Sequence, residues 1–221
     1  ALGPALIALG FVLAALFVGV QPLLRRPLLN IGVLWRNAPL RGALAVQLLL
    51  YMTAFSSTFL LSLFLQVSLD RTAQVAGRVL ATSTVLMAVA APLAGRLADR
   101  FRPGVISTLG AAAVLGCAVA GANLGPGSTV GAVVVVLILQ GLGFGLFSSP
   151  NMPTIMGSVP ASDRSMTSAL ATKARHVGMV SGMLLATTLI SVFIGDAPVR
   201  EQPEALAALI PRAYTVLAGL N

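Results

Sequence analysis

The sequence predicts an all-α, polytopic membrane protein, and three observations carry that prediction. Hydrophobic residues fill 57% of the 221 positions and charged residues only 9%, with a mean hydropathy of +0.95. A soluble domain carries about 25% charged residues, so a water-facing surface cannot be built from this composition. Several uncharged runs, among them VLGCAVAGANL and VGAVVVVLILQGLGFGLF, approach the ~20 residues that cross a bilayer as a helix. These runs are apolar on every side, whereas the strands of a membrane barrel alternate polar and apolar residues. In hydrocarbon the backbone must satisfy its own hydrogen bonds, which leaves helices.

The elements follow in order. Leu2 to Val20 reads as a leading span; no basic segment precedes it, unlike a signal peptide. Residues 21–41 form a polar connection with Arg25, Arg26, Arg36 and Arg41. Its LLNIGVLWRNAPL stretch is expected to lie at the interface, with Trp35 at headgroup depth. The main bundle is expected over 42–221. Its spans are Gly42 to Gln66, Ala76 to Ala98, Gly104 to Ala122, Thr129 to Phe147, and Val177 to Ile194 entered by a turn or two from Ser165. The closing PRAYTVLAGLN reads as the first turns of a final span, incomplete at its end. The whole is about six spans plus a truncated last one.

The net charge of +8, with thirteen of fourteen basic residues Arg, is that of membrane topology rather than nucleic-acid binding. The cations fall in short connections instead of on one solvated face. If the connections alternate sides, one side holds ten of them: Arg25, Arg26, Arg36, Arg41, Arg96, Arg100, Arg102, Arg164, Lys173 and Arg175. The other holds four: Arg71, Arg78, Arg200 and Arg212. The richer side is expected to be cytoplasmic, with the protein in the cell (inner or plasma) membrane. The single cysteine, Cys117, lies in an apolar run and reads as a small core residue. Cys, His and carboxylates never cluster enough to suggest a metal site, and no cofactor or enzyme chemistry is expected.

Two other features read as structural. GLGFG at Gly141 to Gly145 lacks the third glycine and the preceding strand of a dinucleotide loop. Gly141 with Gly145, and Gly178 with Gly182, instead make small-residue faces suited to close helix packing. His176, the lone histidine, sits beside Lys173 and Arg175 and reads as a loop-contacting residue rather than a proton relay.

One charged knot, PLAGRLADRFRPG from Pro92 to Gly104, interrupts the apolar runs. As plain chemistry it is a tight turn kept in the cytoplasm by Arg96, Arg100 and Arg102. Its GRLADRFRPG resembles the G-x-L-A-D-R-x-G-R loop of the major facilitator superfamily: Gly95, Leu97, Ala98, Asp99 and Arg100 match, and Arg102-Pro103 departs from the pattern. LQGLGFGLFSSPNMPTIM and DRSMTSALATKARHVGMVSGMLLATTLI resemble the last third of the fourteen-helix drug:proton antiporters, where a Gly-rich helix ends in a Pro-containing break. PLLNIGVLWRNAPLRGALAVQLL resembles the entry to their C-terminal bundle.

The resemblance implies a linker helix over 1–20 and the first five helices of a six-helix C-terminal bundle. An N-terminal bundle of the same transporter would be its partner, alongside membrane lipid and a small-molecule substrate. It implies proton-coupled multidrug efflux, and with it antibiotic resistance. The same fold exporting a sugar, an amino-acid derivative or a secreted metabolite stays open, as does a non-transporting membrane scaffold. Gly95, Asp99 and Arg100 would form a conformational-switch loop, with Asp99 capping a helix of the opposite bundle. No charge is expected deep in a span. The substrate-cavity candidates are therefore uncharged: Gln47, Tyr51, Phe55 and Ser56, Thr84 and Met87, Gln140 and Phe144, and Met179 and Met183. Aromatic and Met side chains suit varied apolar or cationic ligands.

Overall fold

The computed structural model describes residues 37–195 and 198–220. The leading span, and the connection as far as Arg36, lie outside the described residues.

Among the described residues six α-helices run in sequence: α1 (Ala38–Leu63), α2 (Ala73–Arg100), α3 (Pro103–Gly121), α4 (Val130–Gly157), α5 (Arg164–Ile194) and α6 (Pro203–Leu220). No strand occurs among the described residues. Among the described residues five segments are long and apolar enough to cross a membrane, containing α1 to α5 in turn. The chain is an all-α, multi-pass membrane protein.

Local chemistry sets the helix starts. Asn37 caps α1, its Oδ1 accepting from the Leu40 N–H at 3.0 Å. Thr72 and Thr129 cap α2 and α4 in the same way, each at 3.4 Å. A side-chain oxygen at this position satisfies one of the orphan N–H groups of the first turn. Pro103 opens α3 and Pro203 opens α6, where proline's missing N–H costs nothing. α1 ends by widening into a π-turn over Phe64–Ser68, and α5 ends at Gly195, whose φ of 75° suits glycine.

Three boundaries differ from the sequence expectation. α4 does not stop at Phe147 but continues through Pro150 and Pro153 to Gly157. The Thr154 hydroxyl donates to the Pro150 carbonyl at 2.8 Å, and Asn151 is tied to Gln47 across the bundle. Buried surroundings of this kind let a membrane helix carry proline. α5 begins at Arg164, so its entry is longer than a turn or two. α6 begins at Pro203 rather than near Pro211, which lies inside it. Arg212, assigned to a connection by its charge, is accordingly a helix residue, its guanidinium 5.3 Å from the Phe193 ring centroid on α5.

The helices pack as two sets. α4 lies along both α2 and α3, and α5 lies along α1. α6 closes against α3, α5 and the π-turn. The largest core joins Leu60 and Leu61 of α1 and Phe64 of the π-turn to Val133, Val136 and Leu137 of α4 and Tyr214 of α6. By contrast, α2 exposes Val85, Val89 and Leu93, and α5 exposes Val180, Leu184 and Val192. Such apolar faces fit lipid or another helical layer, not water.

Candidate functional site: a cavity among four helices

A cavity of about 870 Å³ opens among α1, α2, α4 and α5, within the 300–1,000 Å³ typical of small-molecule sites. Each helix contributes one stripe. From α1 come Tyr51, Ala54, Phe55, Thr58, Phe59 and Ser62, spaced three and four apart as one helical face requires. α2 supplies Gly77, Leu80, Ala81, Thr84 and Met87 along a face, with Ser83 beside it; α4 supplies Gln140, Gly141 and Phe144; α5 supplies Arg175, Met179 and Met183.

Glycine sets how closely these walls approach. A Cβ on Gly141 would collide with the Ser83 carbonyl of α2, and one on Gly145 with Ala90. On the other side, Gly178 and Gly182 of α5 lie against the Leu48 and Met52 carbonyls of α1. Gly110 and Gly143, not singled out from the sequence, make a reciprocal seam in which each would drive a Cβ into the other's carbonyl. Backbones this close leave the large side chains to the cavity face.

Eight of the ten candidates, Tyr51, Phe55, Thr84, Met87, Gln140, Phe144, Met179 and Met183, line this cavity; Gln47 and Ser56 do not. Gln47 is buried and committed elsewhere. Its Nε2 donates to the Ala171 carbonyl at 2.6 Å, and its Oε1 accepts from Asn151 Nδ2 at 2.8 Å. It therefore ties α1 to α5 and α4 one turn beyond Tyr51. Ser56 lies off the cavity stripe of α1 and is fully buried, its hydroxyl without a hydrogen-bond partner among the described residues.

The polar part of the wall is connected inward. Gln140 Nε2 donates to Thr58 Oγ1 at 3.0 Å, and its Oε1 accepts from Ser57 Oγ at 2.8 Å. Ser57 in turn meets Tyr214 of α6. Opposite, Tyr51 and Phe144 pack edge to face with centroids 5.0 Å apart and planes at 89°.

Arg175 corrects the expectation that no charge enters the bundle. It is half-buried, lines the cavity and holds its guanidinium 5.7 Å from the Tyr51 ring centroid. Its Nε is buried with no hydrogen-bond partner among the described residues. The sequence carried the signal for it: Arg175 precedes Met179 by four residues and Met183 by eight, on one helical face. Counting it with the loop cations hid that periodicity. His176, its neighbour, is exposed and does not line the cavity.

The charged loop lies apart from the cavity. Asp99 and Arg100 are exposed at the end of α2. A Cβ on Gly95 would sit 3.2 Å from Ser149 Oγ of α4, so this glycine sits where α2 and α4 converge toward the loop.

Comparison with known proteins matches this architecture. The Major Facilitator Superfamily model aligns with residues 43–199. The multidrug efflux pump LfrA of Mycolicibacterium smegmatis is 29% identical over 223 aligned residues, covering 96% of this chain and 43% of that protein. The uncharacterized transporter YebQ of Escherichia coli is 34% identical over 62% of this chain and 30% of its own length. The riboflavin transporter RibZ of Clostridioides difficile is 32% identical over 50% of this chain and 24% of its own. The chain thus spans less than half the length of these relatives. With its family model covering all five candidate spans in large part, the chain belongs to the major facilitator superfamily.

Proposed function

We propose that this chain forms the C-terminal bundle of a transporter that exports lipophilic compounds, driven by protons. The observation that carries the reading is the cavity. Aromatic and Met side chains from four helices converge on a volume suited to a drug-sized solute, with hydroxyl and amide groups at a few points. Solute sites of transporters with repeated bundles lie at the repeat interface. The exposed apolar faces of α2 and α5 suit lipid or a further helical layer. Likeness to LfrA, named as a multidrug efflux pump, supports drug export. Likeness to RibZ, named as a riboflavin transporter, favours a second reading in which the solute is a particular metabolite.

The test is an efflux panel with the intact protein expressed in a pump-deficient host. Lowered accumulation of several unrelated lipophilic dyes, abolished by a protonophore, fits the proposal. Lowered accumulation of one metabolite and of no dye selects the second reading. Unchanged accumulation of everything tested rejects transport as proposed.

A further inference from the structure

We propose that Arg175 makes this cavity a receptor for amphipathic anions, with an apolar body against the aromatic wall and a carboxylate-like group on the guanidinium. The inference rests on the reading of the cavity as a solute site and adds the charge class of the solute.

The first support is position. Gly178, one turn beyond Arg175, lies against the Leu48 carbonyl, so Arg175 enters the cavity from inside the α1–α5 seam rather than from a loop. Its side chain runs along that seam to overlie Tyr51. An arginine within a membrane bundle is costly and marks a solute or ion pathway unless it is neutralised.

The second support is the lack of a counter-ion among the described residues. The five described carboxylates, Asp70, Asp99, Asp163, Glu201 and Glu204, sit in connections or at helix ends, and none lines the cavity. Among the described residues the partner of the guanidinium is the Tyr51 ring. Stacking engages the face of the guanidinium, whereas its N–H donors radiate in the plane. The ring therefore holds the cation in place without supplying the acceptors it lacks.

The third support is what lies beside it. Tyr51 and Phe144 form a T-shaped pair, and Met179 and Met183 continue the Arg175 face of α5. A solute with an aromatic body and an anionic end matches both parts of the wall. A lipophilic cation would find the apolar wall, no lining carboxylate and a repelling charge. An ion pair with a planar carboxylate is the strong mode of arginine, and a dry wall strengthens it.

The test uses three probes with one aromatic body: 2-naphthylacetate, 2-naphthylethanol and (2-naphthylmethyl)trimethylammonium. Each is titrated calorimetrically into the purified intact protein in non-ionic detergent. The acetate is expected to bind about tenfold or more tighter than the alcohol, as a charge-assisted hydrogen bond implies, and the ammonium more weakly than the alcohol. Arg175→Gln should bring the acetate-to-alcohol ratio to about one, and Arg175→Lys should leave it intermediate, because a point charge lacks the planar fork. If the Gln variant does not purify as a single species, the Lys variant decides: an unchanged ratio overturns the inference. Equal binding of acetate and alcohol by the wild type, or preference for the ammonium, overturns the anion assignment and leaves the cavity reading standing. Failure of all three probes to bind overturns the cavity reading, and this inference with it.

Discussion

Tyr214 donates its phenolic proton to Ser57. The two oxygens lie 2.5 Å apart, and the Ser57 proton is already directed to Gln140 Oε1 at 2.8 Å, so the phenol is left as the donor. Both residues are fully buried. The chain of bonds joins α6 to α1 and α1 to α4.

Removing the middle of that chain should cost more than removing its end. Tyr214→Phe loses one buried hydrogen bond, worth about 0.5–1.5 kcal/mol, whereas Ser57→Ala strands a buried donor, at about 1–3 kcal/mol. Unfolding of the purified protein in mixed micelles measures both. Equal costs, or a larger loss for Tyr214→Phe, would contradict the donor assignment.

Glycine at the α1–α5 seam should be intolerant of even one methyl group. Gly182→Ala forces a Cβ against the Met52 carbonyl, and such overpacking costs about 1–3 kcal/mol. Gly116, inside α3, has open space where a Cβ would go. Gly116→Ala should therefore be neutral or stabilising by up to about 1 kcal/mol, since alanine favours the helix. Thermal stability of the two variants in one detergent compares them directly. A tolerated Gly182→Ala would mean that the helices part more easily than this packing implies.

Asp99 is predicted to set a conformational balance rather than only complete a turn. A carboxylate facing a helix N-terminus contributes about 0.3–2 kcal/mol, and a bias of ~1.4 kcal/mol shifts a two-state population about tenfold. Asp99→Asn in the intact transporter should keep membrane abundance and change the transport rate severalfold. Wild-type rates at matched abundance would reduce this loop to its topological role.

Orientation is the fourth prediction. Cysteines introduced at Pro103 and Ser162 should be shielded from an impermeant thiol reagent in intact cells, and those at Asp70 and Gln202 should react. A Cys117→Ala background removes the one cysteine of these 221 residues, which is itself buried. Labelling at 103 but not at 202 would invert the arrangement.

The spans were legible because hydrocarbon tolerates so little charge that uncharged runs betray helices without any knowledge of their neighbours. The end of α4 was not, since Pro150 and Pro153 look like breaks until Thr154 and Asn151 are seen supporting that turn. The start of α6 was missed, although Pro203 and Glu204 are a fitting first turn. Residue type singled out Tyr51 and Phe55, which face the cavity, as readily as Gln47 and Ser56, which do not. Only helix phase separates them: Tyr51, Phe55, Thr58 and Ser62 share a stripe, Ser56 lies off it, and Gln47 continues it into a seam that α4 and α5 close. Arg175 was hidden by an accounting of charge along the chain, which has no knowledge of the direction a side chain takes.

The shared role of Gln140 bears on how selective such a wall can be. Its amide is already engaged at both ends, by Thr58 and by Ser57, while it faces the cavity. Its oxygen already accepts from Ser57 and Cys117, so a guest's donor must displace a bond the protein already makes, a swap close to thermoneutral, and one Nε2 N–H is left to offer. If the cavity holds a solute as proposed, adhesion would come from the fit of rings and thioethers, with the amide as a gatekeeper. It rejects a guest whose polar atoms crowd it without offering a replacement bond, and it is indifferent to one that leaves it alone. Around Gln140 such a wall would discriminate by exclusion and be lenient toward shape, leaving selection by charge to Arg175.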